Sequence, residues 1–369
     1  MPNLSLLIKP VSGACNLRCR YCFYLDESAH RQTACFGTMS ETTLQTLVRR
    51  AFAYADGPVS FAFQGGEPLL AGKAFYRRVL ALQKQYNTRR LPVTNALQTN
   101  GTLLDEEWAE LFAEGQFLVG ISLDGPASLH DRYRVDTAGA ATHARALQGA
   151  EILKKRGVPY NILCVVTIAA APDTVFDALA PHGYLQFIPC LDALDGQPGE
   201  FSLQPESYGQ FLVRTFDRYE DSWRSGRPVS IRAFDNWVGM LLGQPPESCG
   251  MSGRCGHYYV IEADGSVYPC DFYVLDEWRL GNINDASFFK MANSPLGAEF
   301  RRLSIPLPES CRACPYLALC RGGCRREREP FVGTAPGSNR LCAGARLFFD
   351  QRLSRLQQLA REVADLRGN

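Results

Sequence analysis

The sequence lacks an excess of charge of either sign. Lysine and arginine number 39 and aspartate and glutamate number 38, so the formal net charge is +1 at pH 7. A chain without a strong overall field has no general attraction to nucleic acid or to an anionic membrane. We therefore expect the partner to be a small molecule or another protein, and no nucleic acid to bind.

Targeting signals and long apolar runs are also missing. The first residues contain no basic segment followed by an apolar core. No apolar run approaches the ~20 residues that a membrane-spanning helix needs. We therefore expect a cytoplasmic protein without membrane association. In that reducing compartment, the 14 cysteines are better explained as metal ligands than as disulfides.

The cysteines are unevenly distributed along the chain. Eight of them lie between Cys249 and Cys342. Three more form a tight group near the start: Cys15, Cys19 and Cys22. An iron-sulfur cube is normally held by four cysteines, so a group of three leaves one iron without a protein ligand and open to chemistry. The remaining Cys35, Cys164 and Cys190 fit no ligand spacing.

Strand-like and helix-like segments alternate through the first 235 residues. Six strands are predicted: Ser5–Ile8, Val59–Phe63, Val93–Gln98, Leu118–Ser122, Tyr160–Ile168 and Leu185–Pro189. The segments between them carry apolar residues at helical spacing. This alternation predicts an α/β fold of parallel βαβ units, in which six units form a partial (β/α)6 barrel similar to a TIM barrel. Barrels of this type carry their reactive groups in the loops that follow the strands.

Polar motifs follow three of these strands. The second strand ends in Gln64-Gly65-Gly66-Glu67-Pro68, where the glycines permit close backbone approach to a ligand and Glu67 is suited to accept hydrogen bonds from an ammonium group. The third and fourth strands end in Gln98-Thr99-Asn100-Gly101 and Ser122-Leu123-Asp124-Gly125, whose short side chains suit ribose hydroxyls. Asn-Gly and Asp-Gly are also favoured turn pairs, so a purely structural role stays open for both.

The composition changes beyond residue 235. A β-hairpin is predicted from Tyr258–Glu262 and Ser266–Pro269, turned at Asp264-Gly265, and a helix is predicted from Ala343 onward. We expect a barrel domain over 1–235, a cysteine-rich domain over 236–342 and a C-terminal helix over 343–369. The eight cysteines of the second domain suffice for two four-thiolate sites. Iron-sulfur clusters and redox-silent structural zinc both fit that number.

The amino-terminal cysteine group, with Tyr21 directly before its third member, resembles the signature of the radical S-adenosylmethionine (SAM) enzymes. The segment 64–68 is similar to their GGEP motif. This resemblance implies a 4Fe-4S cluster on the three cysteines, whose free iron chelates SAM and splits it reductively to a 5′-deoxyadenosyl radical. It also implies a SAM pocket lined by Tyr21, Gly65, Gly66, Glu67, Asn100, Ser122, Asp124 and Arg134.

The later cysteines resemble the SPASM extension of radical SAM enzymes, which binds two auxiliary 4Fe-4S clusters. The expected total is therefore three clusters. The resemblance implies one ligand set of Cys249, Cys255, Cys270 and Cys324, and a second set of Cys311, Cys314, Cys320 and Cys342. This crossed connectivity comes from the family and not from the spacing.

The segment from Tyr268 to Val274 is similar to that of the anaerobic sulfatase-maturating enzymes, which oxidise a sulfatase cysteine or serine to Cα-formylglycine. The resemblance implies a substrate segment of the Cys/Ser-x-Pro-x-Arg type and an electron donor such as flavodoxin or ferredoxin, and we expect a monomer. After the radical removes a Cβ hydrogen, a carboxylate must take the thiol or hydroxyl proton. We predict that Asp271 is this base and that Tyr24 and Gln64 orient it or the substrate.

Two alternatives remain open. One is a SPASM enzyme that modifies a ribosomally made peptide, for instance by forming a thioether crosslink. Such enzymes commonly carry an N-terminal peptide-binding module, for which we expect no room ahead of Cys15, and the run Cys270-Asp271-Phe272 favours sulfatase maturation. The other is a non-catalytic iron-sulfur carrier or a zinc-bearing scaffold, against which the cysteine triad and the GGEP-like loop argue.

Overall fold

The computed structural model describes residues 3–329 and 337–368. These residues form two compact units that are interleaved along the chain. The first unit comprises the residues up to Leu123, His130–Asn161 and His257–Phe300, and the second comprises Asp124–Leu129, Ile162–Gly256 and the residues from Arg301 on. The division at residues 235 and 342 stays a prediction, because it follows composition along the chain and not compactness in space.

The described residues contain strands at the following positions: β1 (Leu4–Ile8), β2 (Val59–Phe63), β3 (Val93–Thr99), β4 (Phe117–Ser122), β5 (Tyr160–Val166), β6 (Tyr184–Pro189), β7 (Ser230–Ile231), β8 (Tyr259–Ile261), β9 (Ser266–Tyr268) and β10 (Gly281–Asn282). In the first unit the strand order is β10-β9-β8-β1-β2-β3-β4, and in the second it is β5-β6-β7. Neighbouring strands from β1 to β4 pair in parallel, as do β5, β6 and β7. The six predicted strands are present as β1 to β6.

The α-helices are α1 (Phe23–Ala29), α2 (Glu41–Tyr54), α3 (Lys73–Tyr86), α4 (Glu106–Glu114), α5 (Ala127–Tyr133), α6 (His143–Lys155), α7 (Pro172–Leu179), α8 (Pro205–Arg224), α9 (Arg232–Leu241), α10 (Phe288–Ala292), α11 (Pro295–Leu303), α12 (Glu309–Arg312), α13 (Leu317–Cys320) and α14 (Cys342–Gly368). Side-chain caps are observed at the start of α2 and α4. Ser40 accepts a hydrogen bond from the amide of Thr43 at the start of α2, and Asp105 accepts one from Trp108 at the start of α4.

The predicted β-hairpin is present and extends the sheet of the first unit. Its strand β8 pairs in parallel with β1, with Leu6 opposite Tyr259 and Ile8 opposite Ile261. The amide of Lys9 continues this ladder with a 2.8 Å hydrogen bond to the Ile261 carbonyl. Since β9 then runs antiparallel to β8, the hairpin carries the segment from Cys270 onward into the first unit.

The second unit is stabilised by the C-terminal helix. Phe348 of α14 lies 5.6 Å from Phe216 of α8 and 4.8 Å from Trp237 of α9, measured between ring centroids. Arg352 of α14 forms a 2.8 Å ion pair with Asp217 of α8. The helix predicted from Ala343 is therefore present, and its apolar side is a packing surface. In the described part of the chain, no helix combines the length and apolarity that crossing a bilayer requires.

Candidate active site

The loop that carries Cys15, Cys19 and Cys22 lies between β1 and α1, and Cys22 is the N-cap residue of α1. Backbone hydrogen bonds hold this loop in place: the amide of Arg18 donates to the Val135 carbonyl at 2.7 Å. The three thiols are partly buried, and none forms a disulfide. The sequence therefore folds locally into a fixed loop that presents three thiols, none of them in a disulfide.

Nitrogen donors approach two of these sulfur atoms. The Leu17 amide lies 3.3 Å from the Cys15 sulfur, and the Asn100 side-chain amide lies 3.9 Å from the same atom. A guanidinium nitrogen of Arg134 lies 3.8 Å from the Cys19 sulfur. Such donors stabilise sulfur that carries negative charge, as in cluster ligation. Burial raises the pKa of the Cys15 thiol to about 12, so a metal must displace its proton. The donor set thus fits an iron-sulfur cluster.

The two glycines after β2 hold the cysteine loop. The Gly66 amide donates a hydrogen bond to the Ser12 carbonyl at 2.9 Å, and the Glu67 amide donates one to the Ala14 carbonyl at 2.7 Å. Gly65 has a φ of +125°, and a Cβ atom there would lie 2.9 Å from the Ser12 carbonyl oxygen. The sequence predicts that these glycines admit a ligand, and that role stays a prediction. The structure shows that they admit the backbone that leads to Cys15.

Replacing Gly66 by alanine is expected to destabilise the protein by about 3 kcal/mol and to lower its iron content, because the new Cβ would overlap the Ala14 carbonyl. Thermal unfolding and iron analysis measure both effects. Gly239→Ala is the matched control, since its Cβ would meet mainly the end of the flexible Gln244 side chain. Equal stability and iron content of the two variants would show that the close approach at Gly66 is not needed.

The carboxylate of Glu67 is fully buried and ties two loops together. It accepts hydrogen bonds from the Leu69 amide at 3.0 Å, the Thr99 hydroxyl at 2.8 Å and the Asn100 amide at 2.9 Å. Burial raises the pKa of Glu67 to about 7, and these hydrogen bonds limit the rise. The structure shows that the Glu67 carboxylate joins the loops after β2 and β3 by hydrogen bonds. The binding of an ammonium group by Glu67 stays a prediction.

Two further predicted pocket residues lie at strand ends of the first unit. The side-chain amide of Asn100 donates to the side-chain oxygen of Asn16 at 2.9 Å, inside the cysteine loop. Ser122 accepts a 3.0 Å hydrogen bond from Gln98. Asn100 therefore lies beside the cysteine triad, and Ser122 lies at the end of β4.

The other predicted pocket residues are divided between the units. The guanidinium carbon of Arg134 lies 5.3 Å from the ring centroid of Tyr21, so these two residues meet beside the cysteine triad. Asp124 belongs to the second unit, where its carboxylate accepts a 2.9 Å hydrogen bond from the Val165 amide. Contact of any of these residues with SAM stays a prediction.

Asp271, Tyr24 and Gln64 are brought together in the first unit. One oxygen of Asp271, Oδ2, accepts a 2.6 Å hydrogen bond from the Tyr24 hydroxyl and a 3.4 Å one from the Gln64 amide, which also donates to the Tyr24 oxygen at 2.8 Å. The other oxygen, Oδ1, is shielded from solvent and has no hydrogen-bond partner among the described residues. Burial raises the pKa of Asp271, although the charge of Lys9 and the hydrogen bond from Tyr24 act to lower it. One oxygen is thus held by two donors and the other by none, and the role of Asp271 as a base stays a prediction.

Sequence reasoning missed a buried group of four charged side chains next to this carboxylate. Lys9 lies 3.0 Å from Glu262 and 3.6 Å from Glu27, and Arg31 lies 2.7 Å from Glu262. Burial raises the pKa of Glu27 to about 7 despite the nearby Lys9. Burial also acts to raise the pKa of Glu262, but Lys9 and Arg31 together lower it. The only signal in the sequence is a lysine that directly follows an apolar strand.

Four of the later cysteines line one cavity of ≈ 50 Å³ in the second unit: Cys311, Cys314, Cys320 and Cys342. Tyr316, Arg346 and Phe349 are among the other residues that line it. This is the second ligand set that the resemblance implied, and its four thiols fit an iron-sulfur cube.

The other predicted set is divided between the units. Cys249, Cys255 and Cys324 belong to the second unit, where their sulfur atoms interact electrostatically, and burial raises the pKa of Cys324 to about 12. Cys270 belongs to the first unit, so the four-residue set stays a prediction. Over residues 3–329 and 337–368, no three His, Cys, Asp or Glu side chains converge as ligands of a single metal ion do. A cube differs, because it spreads its ligands over four irons.

Comparison with known proteins relates these sites to described families. The Radical SAM superfamily matches residues 10–177, and the SPASM family, described as an iron-sulfur cluster-binding domain, matches residues 249–315. A cysteine-type anaerobic sulfatase-maturating enzyme of Clostridium perfringens is 43% identical, over 98% of this chain and 100% of the relative. The chain belongs to the anaerobic sulfatase-maturating enzymes.

Other relatives agree with this assignment. A serine-type anaerobic sulfatase-maturating enzyme of Bacteroides thetaiotaomicron is 34% identical, over 94% of this chain and 88% of the relative. The solved structure of native anSMEcpe with bound AdoMet and Cp18Cys peptide is 43% identical, with a TM-score of 0.93 over 98% of this chain and 100% of that one. The predicted fold of this sulfatase-maturating enzyme, an open TIM-like barrel with a SPASM domain, is thereby confirmed.

Proposed function

We propose that this enzyme oxidises the active-site cysteine, or serine, of a sulfatase to Cα-formylglycine. The cysteine-type relative is 43% identical and the serine-type relative 34% identical, which supports cysteine as the substrate residue. The bound AdoMet and peptide of anSMEcpe support SAM as the cofactor and a polypeptide as the substrate. The proposal includes three 4Fe-4S clusters, a Cys/Ser-x-Pro-x-Arg type segment, flavodoxin or ferredoxin as electron donor, and a monomer in the cytoplasm.

The cofactors divide the chemistry with the protein. When bound, the triad cluster with SAM supplies the radical that removes a Cβ hydrogen, and an auxiliary cluster takes up the surplus electron. Cys15, Cys19 and Cys22 would hold the first of these groups, and Gly66 and Glu67 keep their loop in place. Asp271, Tyr24 and Gln64 are the residues that would handle the substrate proton.

The free oxygen of Asp271 is the observation that carries the proposal. Loss of an electron from the Cβ radical forms a double bond to sulfur or oxygen only if the thiol or hydroxyl proton also leaves. Asp271 is suited to accept that proton at Oδ1, since Tyr24 and Gln64 occupy Oδ2 and fix the orientation of the carboxylate. A thioaldehyde formed from cysteine then hydrolyses to the aldehyde with release of hydrogen sulfide, whereas serine gives the aldehyde directly.

Paired peptides test the proposed reaction. The reconstituted enzyme is given SAM, a reductant and one of two peptides that differ only in Cys or Ser ahead of the Pro and Arg of the sulfatase segment. We expect 5′-deoxyadenosine to form and the mass of the cysteine peptide to change to that of the aldehyde. Mass spectrometry of the peptide and chromatography of the nucleoside measure the two products.

The possible outcomes separate the open alternatives. An unchanged or crosslinked product from both peptides, together with 5′-deoxyadenosine, would contradict sulfatase maturation and favour another peptide modification. Absence of 5′-deoxyadenosine from iron-replete protein would contradict radical SAM chemistry itself. Peptides in which Cys and Ser are replaced by Ala are the control for SAM cleavage without product.

A further inference from the structure

Lys9 is the centre of the buried charged group. It directly follows β1, and its side chain is 1% exposed. Its ammonium group lies 3.0 Å from Glu262 and 3.6 Å from Glu27. The two acids and the two cations, Lys9 and Arg31, balance in charge. A lysine is rarely buried in this way without paired partners, because removing a charge from water is costly.

The partners of Lys9 lie on the two segments that carry the proposed base and its hydrogen-bond donor. Glu27 is on α1, the helix that contains Tyr24, and its carboxylate also accepts a 2.7 Å hydrogen bond from the amide of Val274, three residues after Asp271. Glu262 directly follows β8 of the hairpin that leads to Asp271. Lys9 therefore connects β1 to both segments at once.

Lys9 also contacts Tyr24 itself. Its ammonium nitrogen lies 4.6 Å from the ring centroid of Tyr24, within the range of a cation–π interaction. The hydroxyl of that ring donates the 2.6 Å hydrogen bond to Asp271. The chain of contacts thus runs from Lys9 through the tyrosine ring to the carboxylate oxygen that the tyrosine holds.

We infer that Lys9 is a positioning residue, which keeps the Tyr24 hydroxyl aligned with Asp271 so that the free carboxylate oxygen faces the substrate. The inference rests on the proposed function, because it concerns the same proton transfer. Lys9 does not contact the reacting atoms in this role. Its loss should therefore uncouple SAM cleavage from aldehyde formation, whereas a residue needed only for folding would affect both alike.

The test is Lys9→Met in the full enzyme, compared with Lys73→Met. Lys73 is also ion-paired with two acids, Asp105 and Glu107, but at the surface of α3 and α4. We expect the Lys9 variant to yield about tenfold less aldehyde per 5′-deoxyadenosine, which is within the usual range of coupling between contacting residues. The control should keep the wild-type ratio. Iron content and thermal unfolding are measured on both, and a wild-type ratio for Lys9→Met would overturn the inference.

A double-mutant cycle with Tyr24→Phe tests how Lys9 acts. If Lys9 works through the tyrosine, the double variant Lys9→Met/Tyr24→Phe should form no less aldehyde per 5′-deoxyadenosine than Tyr24→Phe alone. Losses that multiply would show that Lys9 acts by another route and would overturn the inference. A wild-type enzyme that forms no aldehyde would instead contradict the proposed function, so the two failures are distinguishable.

A charge-balanced variant covers the case in which Lys9→Met does not take up iron. Lys9→Met/Glu27→Gln removes one cation and one anion, and the glutamine oxygen can still accept the bond from Val274. We expect this variant to bind iron and still lose about tenfold in aldehyde per 5′-deoxyadenosine. A wild-type ratio would overturn the inference. Failure of both variants to bind iron would assign Lys9 to folding and would likewise overturn it.

Discussion

Asp271→Asn is expected to lower formylglycine formation by about 100- to 10,000-fold, the usual contribution of a positioned general base, while SAM cleavage continues. Asparagine has nearly the same shape, and its amide oxygen can still accept the hydrogen bond from Tyr24. It cannot take up the substrate proton at the position of Oδ1, which has no hydrogen-bond partner among the described residues. The measurement is the rate of aldehyde formation, with 5′-deoxyadenosine determined in the same samples.

The matched control for this variant is Asp276→Asn. Asp276 follows the same hairpin, but it is exposed and accepts a 2.7 Å hydrogen bond from the Gln32 amide. It should keep the wild-type rates of both products. Undiminished formylglycine from the Asp271 variant would remove this residue from the mechanism. Parallel loss of iron, SAM cleavage and aldehyde would instead give Asp271 a structural role.

The strands and the amino-terminal cysteine triad were predictable because their signals are local. Most of the six strands are short, largely apolar segments between turn residues, and parallel strands of this kind are buried on both faces, as Leu6 and Leu7 of β1 are. The grouping of the four cysteines that line the second-unit cavity came instead from the family resemblance, because Cys324 of the other predicted set lies between Cys320 and Cys342 in the chain. The prediction that Tyr24 orients Asp271 or the substrate was a hypothesis about the chemistry, since no local pattern joins residues so far apart.

The features of the fold and site that the sequence did not predict depend on pairing between segments that are distant in the chain. The sequence predicts the hairpin from its Asp-Gly turn, but nothing in it shows that β8 pairs with β1, and this register is what brings Glu262 to Lys9. The sequence of the GGEP-like loop likewise does not distinguish glycines that admit a ligand from glycines that admit a neighbouring backbone. Only the structure shows the bond from the Gly66 amide to the Ser12 carbonyl. The sequence indicates the buried charged group only through a lysine at the end of an apolar strand, because a buried cation implies acidic partners.

Replacing Cys15, Cys19 and Cys22 together by alanine is expected to remove about one third of the iron, one cluster of the proposed three, and to abolish SAM cleavage and aldehyde formation. The three thiols lie on one loop and have the charge-stabilising donors Asn100 and Arg134 beside them, whereas the later cysteines lie elsewhere in the chain and keep their own irons. Cys35→Ser is the control, since Cys35 is exposed and belongs to neither group.

Iron analysis under oxygen-free conditions and the yield of 5′-deoxyadenosine measure the two effects in the triple variant. Full iron content would show that the amino-terminal thiols hold no cluster. Zinc in place of iron in both the variant and the native protein would contradict every iron-sulfur assignment, because a closed four-thiolate zinc site carries no electron. The expected result is that about two thirds of the iron is retained and that no 5′-deoxyadenosine forms. This result alone would place radical formation at the amino-terminal loop and leave the clusters of the later cysteines to accept the substrate electron.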